Sequence, residues 1–208
     1  MKQKFILVFC LSLFFTPVTL SAVTLVAGQG YGSFRLSGAG STSLASIMTV
    51  GLKFNKYIEL KYLSLDTSIR MPVMPFRLYD MKYAGSKDAL GNDKYTYYDS
   101  DVVGLSLSFP FTDTFGISAL YGFGRARVYE NTQLVGAVDS TATIHKGAVH
   151  VFNMELYMDI LWGRVLIFTP HLGTMMHFLD KNAGYKNAMS WYLTVSVSYL
   201  LSGANSSE

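Results

Sequence analysis

The chain has one cysteine, Cys10, and it falls in the N-terminal apolar stretch, so nothing beyond that stretch can form a disulfide. Charge is scarce too: Asp, Glu, Lys and Arg make up 15% of the 208 residues, against about a quarter in ordinary soluble domains. No later segment reaches the roughly 18 consecutive apolar residues that mark a membrane helix, which excludes a helical span. The formal net charge of +3 falls to about +1 once Lys2 and Lys4 are set aside, so there is no basic footprint for nucleic acid. No long polar or Pro-rich linker divides the chain, and a single domain is expected.

What is abundant is apolar and aromatic: 50% hydrophobic residues, with Tyr and Phe at 14 each. The opening MKQKFILVFCLSLFFTPVTLSA has two lysines, an apolar run from Phe5 to Phe15, then Pro17 and small residues. This order predicts a secretory signal peptide over residues 1–22, cut after Ser21 or Ala22. Cys10 lies inside the run rather than after it, which argues against lipid attachment. The exported part, residues 23–201, would then be held together without disulfides, followed by a short tail at 202–208.

Period-two alternation runs through the exported part. It predicts eight strands, near Thr24 to Leu36, Leu44 to Phe54, Tyr57 to Leu65, Asp99 to Phe109, Phe115 to Tyr129, Ala148 to Leu161, Val165 to Phe178 and Met189 to Leu201. Each reaches about the 9 to 11 residues that a tilted strand needs to cross a bilayer. The connections alternate in length. Asn55-Lys56, PFTDT (Pro110 to Thr114) and WGR (Trp162 to Arg164) are tight turns. SGAGSTS after the first strand, Thr67 to Tyr98, Glu130 to Gly147 and Leu179 to Ala188 are longer. Short turns at one end and long loops at the other are the pattern of an outer-membrane barrel.

In SWYLTVSVSYLL, residues Trp191, Leu193, Val195, Val197, Tyr199 and Leu201 share one side, and Ser190, Tyr192, Thr194, Ser196 and Ser198 the other. A soluble calyx would show the same alternation with the apolar side inward. The polar side here is Ser, Thr and Gly rather than the Lys, Glu and Arg that cover a water-exposed sheet, as in Gly104, Ser106 and Ser108 of the fourth strand. The apolar side is therefore expected to face lipid. Trp191 and Tyr199 stand about 26 Å apart along the strand at roughly 3.3 Å per residue, suited to two aromatic girdles. Tyr57, Phe111 and Trp162 belong with the girdle at the short turns.

The stretches VGLKFNKYIELKYLSL, VVGLSLSFPFTDTFGISALYGFGRARV, FTPHLGTMMHF and the alternating last strand resemble the small outer-membrane β-barrel family, of the OmpA/OmpX type with a porin-like barrel domain. The resemblance covers nearly all of the exported part. It implies an all-β protein: a transmembrane, eight-stranded, antiparallel up-and-down β-barrel in the outer membrane of a Gram-negative bacterium. Its partners would be outer-membrane lipid, lipopolysaccharide and the barrel-assembly machinery. Two features differ from the family pattern: SGANSSE follows Leu201 where an aromatic usually ends the last strand, and no peptidoglycan-binding domain follows.

Inward positions supply the candidate charges. Pairing the second and third strands so that Phe54 and Ile58 face lipid sets Lys53 opposite Glu59, with Lys61 two positions on. The sixth strand adds Asn153, Glu155 and Asp159, the seventh His171 and His177, and the first Arg35. Charges enclosed in a narrow barrel need partners, so Lys53, Glu59, Lys61, Glu155, Asp159 and His171 are expected to form an interior network. Eight strands leave an interior that side chains can fill, so a wide pore is not expected.

No catalytic, metal or cofactor site is expected. An acyl-transfer set of His177, Ser190 and Asp180 lacks the spacing that a nucleophile and base require. His145, His150 and Asp139 are too sparse for a metal. The long segment after the third strand, TSIRMPVMPFRLYDMKYAGSKDALGNDKYTYY, carries Arg70, Arg77, Tyr79, Lys82, Lys87 and Lys94. It is the candidate surface loop, either covering the barrel mouth beside lipopolysaccharide phosphates or binding a surface ligand. A structural or surface-interaction role is the leading expectation, with a narrow channel, an adhesin and a lipid A-modifying enzyme as alternatives.

Overall fold

The structure is a computed structural model describing residues 23–37, 42–67, 94–132, 140–162, 166–180 and 186–200. Its strands are β1 (Thr24–Leu36), β2 (Thr42–Lys53), β3 (Ile58–Asp66), β4 (Lys94–Pro110), β5 (Phe115–Thr132), β6 (Ser140–Met158), β7 (Ile160–Trp162), β8 (Leu166–Leu179) and β9 (Asn187–Leu200). β6 and β7 both pair with β8 and are separated only by Asp159, so they act as one barrel strand. Each neighbour is antiparallel, and β1 closes on β9, giving an eight-stranded up-and-down barrel. Closure pairs every strand on both sides through the barrel wall, the condition for a sheet to cross lipid, and the upper ends of β4 and β6 beyond Asp99 and Val149 are paired on one side alone.

Two of the three tight turns form where expected, and Gly163 and Arg164 of the third lie outside the described residues. Asn55 Oδ1 accepts the backbone N–H groups of Tyr57 and Ile58, each at 2.8 Å, and reverses the chain between β2 and β3. Thr112 Oγ1 does the same for Phe115 N at 3.0 Å between β4 and β5. Tyr57 and Phe111 are exposed beside these turns, Trp162 is exposed at the end of β7, and Trp191 and Tyr199 face outward on β9, as the girdle reading requires.

The strands differ from expectation at their far ends. β4 starts at Lys94 rather than Asp99 and β6 at Ser140 rather than Ala148, so β4, β5 and β6 rise well past the other strands. The reason is visible in β3, IELKYLSLD. From Ile58 to Tyr62 the outward positions are Ile58, Leu60 and Tyr62, and the inward ones are Glu59 and Lys61. Beyond Tyr62 the apolar residues change sides, with Leu63 and Leu65 fully buried inside and Ser64 and Asp66 outside. β4 repeats the exchange: Val103, Leu105, Leu107 and Phe109 are exposed outward, whereas above them Asp101 and Asp99 face out and Val102 and Tyr98 face in. β5 follows with Tyr121 and Phe123 outward below Arg125 and Arg127, and Ala126 and Val128 inward. A wall that is apolar outside meets lipid, and one that is apolar inside meets water. The exchange therefore marks where the barrel leaves the bilayer on the long-loop side.

Candidate functional site: a sealed lumen and a charged outer rim

The lumen has two unlike halves. In the half toward the long loops, Phe34, Leu36, Ile47, Leu63, Leu65, Tyr98, Val102, Val128, Val149, Val151 and Met175 form one buried cluster. Phe34 stacks on Tyr98 with ring centres 4.7 Å apart, and His177 sits edge-on to both. Tyr98 Oη and His177 Nδ1 share a hydrogen bond of 2.9 Å inside this cluster. Side chains fill the space across the barrel, and the result is an apolar plug.

Beneath the plug lies the charge network. Lys61 Nζ donates to Glu155 Oε2 at 3.0 Å and to Oε1 at 3.3 Å, with both side chains almost wholly buried. The same carboxylate accepts from Tyr192 Oη at 2.6 Å, from Asn153 Nδ2 at 3.0 Å and from Ser118 Oγ at 3.2 Å. His171 Nδ1 lies 3.2 Å from Glu155 Oε2, and its Nε2 is 2.9 Å from Ser196 Oγ. Five strands contribute, since Lys61 comes from β3, Ser118 from β5, Asn153 and Glu155 from β6, His171 from β8 and Tyr192 from β9. Tyr192 reaches Glu155 because Gly173 stands between them in the register. A Cβ at Gly173 would come within 2.6 Å of the Tyr192 ring.

Toward the short turns the lumen opens. Lys53, Tyr157 and Asp159 border a cavity of about 320 Å³, together with Lys56 and Asp113 of the turns. Asp159 accepts a hydrogen bond from Thr169 Oγ1 at 2.7 Å.

Of the six predicted interior charges, the structure thus joins Lys61, Glu155 and His171. Lys53 and Glu59 stand opposite each other in the β2/β3 register, but the close ion pair is Lys61 with Glu155. Lys53 and Asp159 occupy the open mouth instead. Arg35 is corrected: it is exposed on the outer wall, because its neighbours Phe34 and Leu36 turn into the plug. Tyr192 and Ser118 were not foreseen as network members, and neither was the plug. Among the candidate loop residues, Arg70, Arg77, Tyr79, Lys82 and Lys87 lie outside the described residues, and Lys94 marks the start of β4.

His177 and Ser190 are both fully buried within the barrel, whereas Asp180 is exposed beyond the end of β8. Among the described residues no group of three His, Cys, Asp or Glu is placed to hold a metal.

The outer wall above the bilayer carries a polar belt. Tyr62 Oη donates to Asp101 Oδ1 at 2.6 Å, and Ser64 Oγ reaches the same oxygen at 3.0 Å. Arg127 Nε donates to Asp99 Oδ1 at 2.6 Å, and Tyr129 Oη to Asp99 Oδ2 at 3.1 Å. Tyr121 Oη and His150 Nδ1 are hydrogen-bonded at 2.8 Å at the lower edge of this belt.

No protein-family description matches this sequence, and no curated protein matches it either. Solved structures do. Ail, the attachment invasion locus protein of Yersinia pestis, in complex with the heparin analogue sucrose octasulfate, matches with a TM-score of 0.52 at 10% identity, over 85% of this chain and 97% of that one. A second Ail structure gives 0.50 at 10% identity over 86% and 99%. Neisserial surface protein A gives 0.49 at 11% identity over 85% and 96%. At such identities the likeness is one of fold. Together with the lipid-facing wall and the two girdles, it defines the chain as a small integral outer-membrane β-barrel protein of eight strands.

Proposed function

We propose that this protein is a closed outer-membrane scaffold that presents its long-loop end as an interaction surface, and that it neither conducts ions nor modifies lipid. The observation that carries the reading is the plug: among the described residues, Phe34, Ile47, Leu63, Leu65, Tyr98 and Met175 lay a buried apolar layer across the lumen, interrupted by the single polar groups of Ser100, His177 and Ser190. Conduction through a barrel requires water or polar groups along the whole axis, and a buried apolar layer is a high barrier to an ion. Between the open cavity at the short turns and the Lys61–Glu155 pair lies a pocket of about 30 Å³ bordered by Lys53, Asp159, His171 and Glu155.

The burial of His177 and Ser190 supports the non-enzymatic part, since an acyl-transfer nucleophile and base need access to the lipid they act on. The surface role is supported by the rise of β4, β5 and β6 beyond the lipid-facing band, which carries their upper ends and the polar belt on them clear of the bilayer. The complex of Ail with a heparin analogue makes sulfated polysaccharide a reasonable first ligand class to try. Lipopolysaccharide is the proposed resident partner and the barrel-assembly machinery the partner in biogenesis, with signal-directed export bringing the chain there.

Planar-bilayer recording of the purified protein tests the reading. The expected record is that of the bare bilayer. Reproducible unitary steps would overturn it. A heparin surface should retain the full protein and release a variant with residues 68–93 replaced by a short Gly-Ser turn.

A further inference from the structure

The outer wall above the lipid-facing band carries Arg125, Arg127 and Lys146 beside Asp99 and Asp101. Arg125 is the first outward position above Phe123 on β5, and Arg127 stands opposite Lys146 in the β5/β6 register. Arg127 is held by Asp99 at 2.6 Å, with Asp101 at 3.5 Å. Arg125 and Lys146 are exposed and have no ion-pair partner among the described residues. All three cations border one open groove of about 790 Å³, whose lower wall is Phe123 and whose one carboxylate, Asp101, stands opposite Arg125 in the β4/β5 register. Directly below, the Phe123 and His150 rings lie 5.1 Å apart, and Tyr121 is hydrogen-bonded to His150, forming an aromatic shelf.

The position of the groove selects its occupant. It lies where the outward face changes from Tyr121 and Phe123 to Arg125 and Arg127, the level at which lipid acyl chains give way to headgroups. With three cations and one carboxylate on its lining, the groove attracts a phosphate, and the shelf beneath suits the chains attached to it. A small soluble anion would use the cations and leave the shelf unused. We propose that this groove is a docking site for the phosphorylated headgroup of an outer-leaflet glycolipid of the lipid A type, with phosphate on Arg125 and Lys146 and an acyl chain along Phe123 and Tyr121. The inference rests on the reading that lipopolysaccharide is a partner, and it assigns that partner a place on the barrel.

Native mass spectrometry of the mature chain in dodecyl maltoside tests it, with bisphosphorylated lipid A, the same lipid without phosphates, and inorganic phosphate as probes. Wild type should retain the phosphorylated lipid about tenfold better than the dephosphorylated one, as charge-assisted contacts imply. Arg125→Gln with Lys146→Gln should abolish the preference, while Arg125→Lys with Lys146→Arg keeps it. Lys56→Gln, at the opposite end, should leave it unchanged. Faster migration of unheated samples confirms that each variant is folded. Wild type without any preference would overturn the partnership itself. A preference that survives in the double Gln variant would overturn this site alone. Inorganic phosphate competing as well as the lipid would overturn the glycolipid assignment in favour of a simple anion site.

Discussion

Lys61 Nζ lies 3.0 Å from Glu155 Oε2 although the two residues are 94 positions apart in the chain, and both are sealed in the barrel beneath its apolar plug. A buried pair of this kind contributes little over an apolar pair of equal volume, but breaking it strands a charge. Lys61→Met is therefore expected to cost about 3 to 5 kcal/mol, whereas Lys61→Met with Glu155→Met costs much less than the two single changes combined. Reversible urea unfolding in lipid vesicles measures this. Additive losses would mean that the pair is not coupled.

Tyr192 and Gly173 form the second dependence. The ring passes over the glycine to bring its hydroxyl within 2.6 Å of both Asn153 Oδ1 and Glu155 Oε1. Tyr192→Phe keeps the ring and removes the single hydroxyl proton that these two buried acceptors share, a loss of about 1 to 3 kcal/mol. Gly173→Ala forces the ring aside and is expected to cost about as much through overpacking. In Tyr192→Phe, Gly173→Ala should add less than it does in wild type, because the bond it disrupts is already gone. The same unfolding assay in the four proteins decides it.

The exchange of faces along the strands makes a third prediction. Leu105→Arg places a cation on the lipid side and should cost about 2 to 4 kcal/mol if the position is near the midplane. Ser64→Arg, outward but above the exchange, should change stability by less than about 1 kcal/mol. Equal penalties at the two positions would move the membrane boundary from where Tyr62 and Asp101 set it.

The strand ladder was legible because residues such as Leu193, Val195 and Val197 alternate with Ser and Thr, and period two is a local property. The exchange in β3 was also written in the sequence, since the apolar parity shifts between Leu60 and Leu63. Reading a single lipid-facing side for the whole strand concealed it. Arg35 was misplaced for that reason: Phe34 looks lipid-facing until its strand is known to have passed above the bilayer. The Lys61–Glu155 pairing could not be read locally. It depends on which strands lie across the barrel from each other, and on the gap left by Gly173, which is set by closure rather than by neighbours in sequence.

The plug predicts the behaviour of its own residues. Leu63→Ala removes a fully buried side chain and should cost about 2 to 5 kcal/mol. Leu60→Ala, on the lipid side of the same strand, should cost less, because lipid tails fill the space that a rigid core would leave empty. Comparable losses at the two positions would argue against a packed lumen.

One barrel wall changes its surroundings on both sides at a single level, and the absence of cysteine beyond Cys10 makes this directly measurable. Single cysteines placed at each position from Ile58 to Asp66 of a Cys10→Ser chain, labelled with a fluorophore and reconstituted, are read with nitroxide lipid and with aqueous iodide as quenchers. The account predicts quenching by lipid at positions 58 and 60, by iodide at 64 and 66, and by neither at 63 and 65. Lipid quenching at 64 and 66, or iodide quenching at 63 and 65, would contradict it.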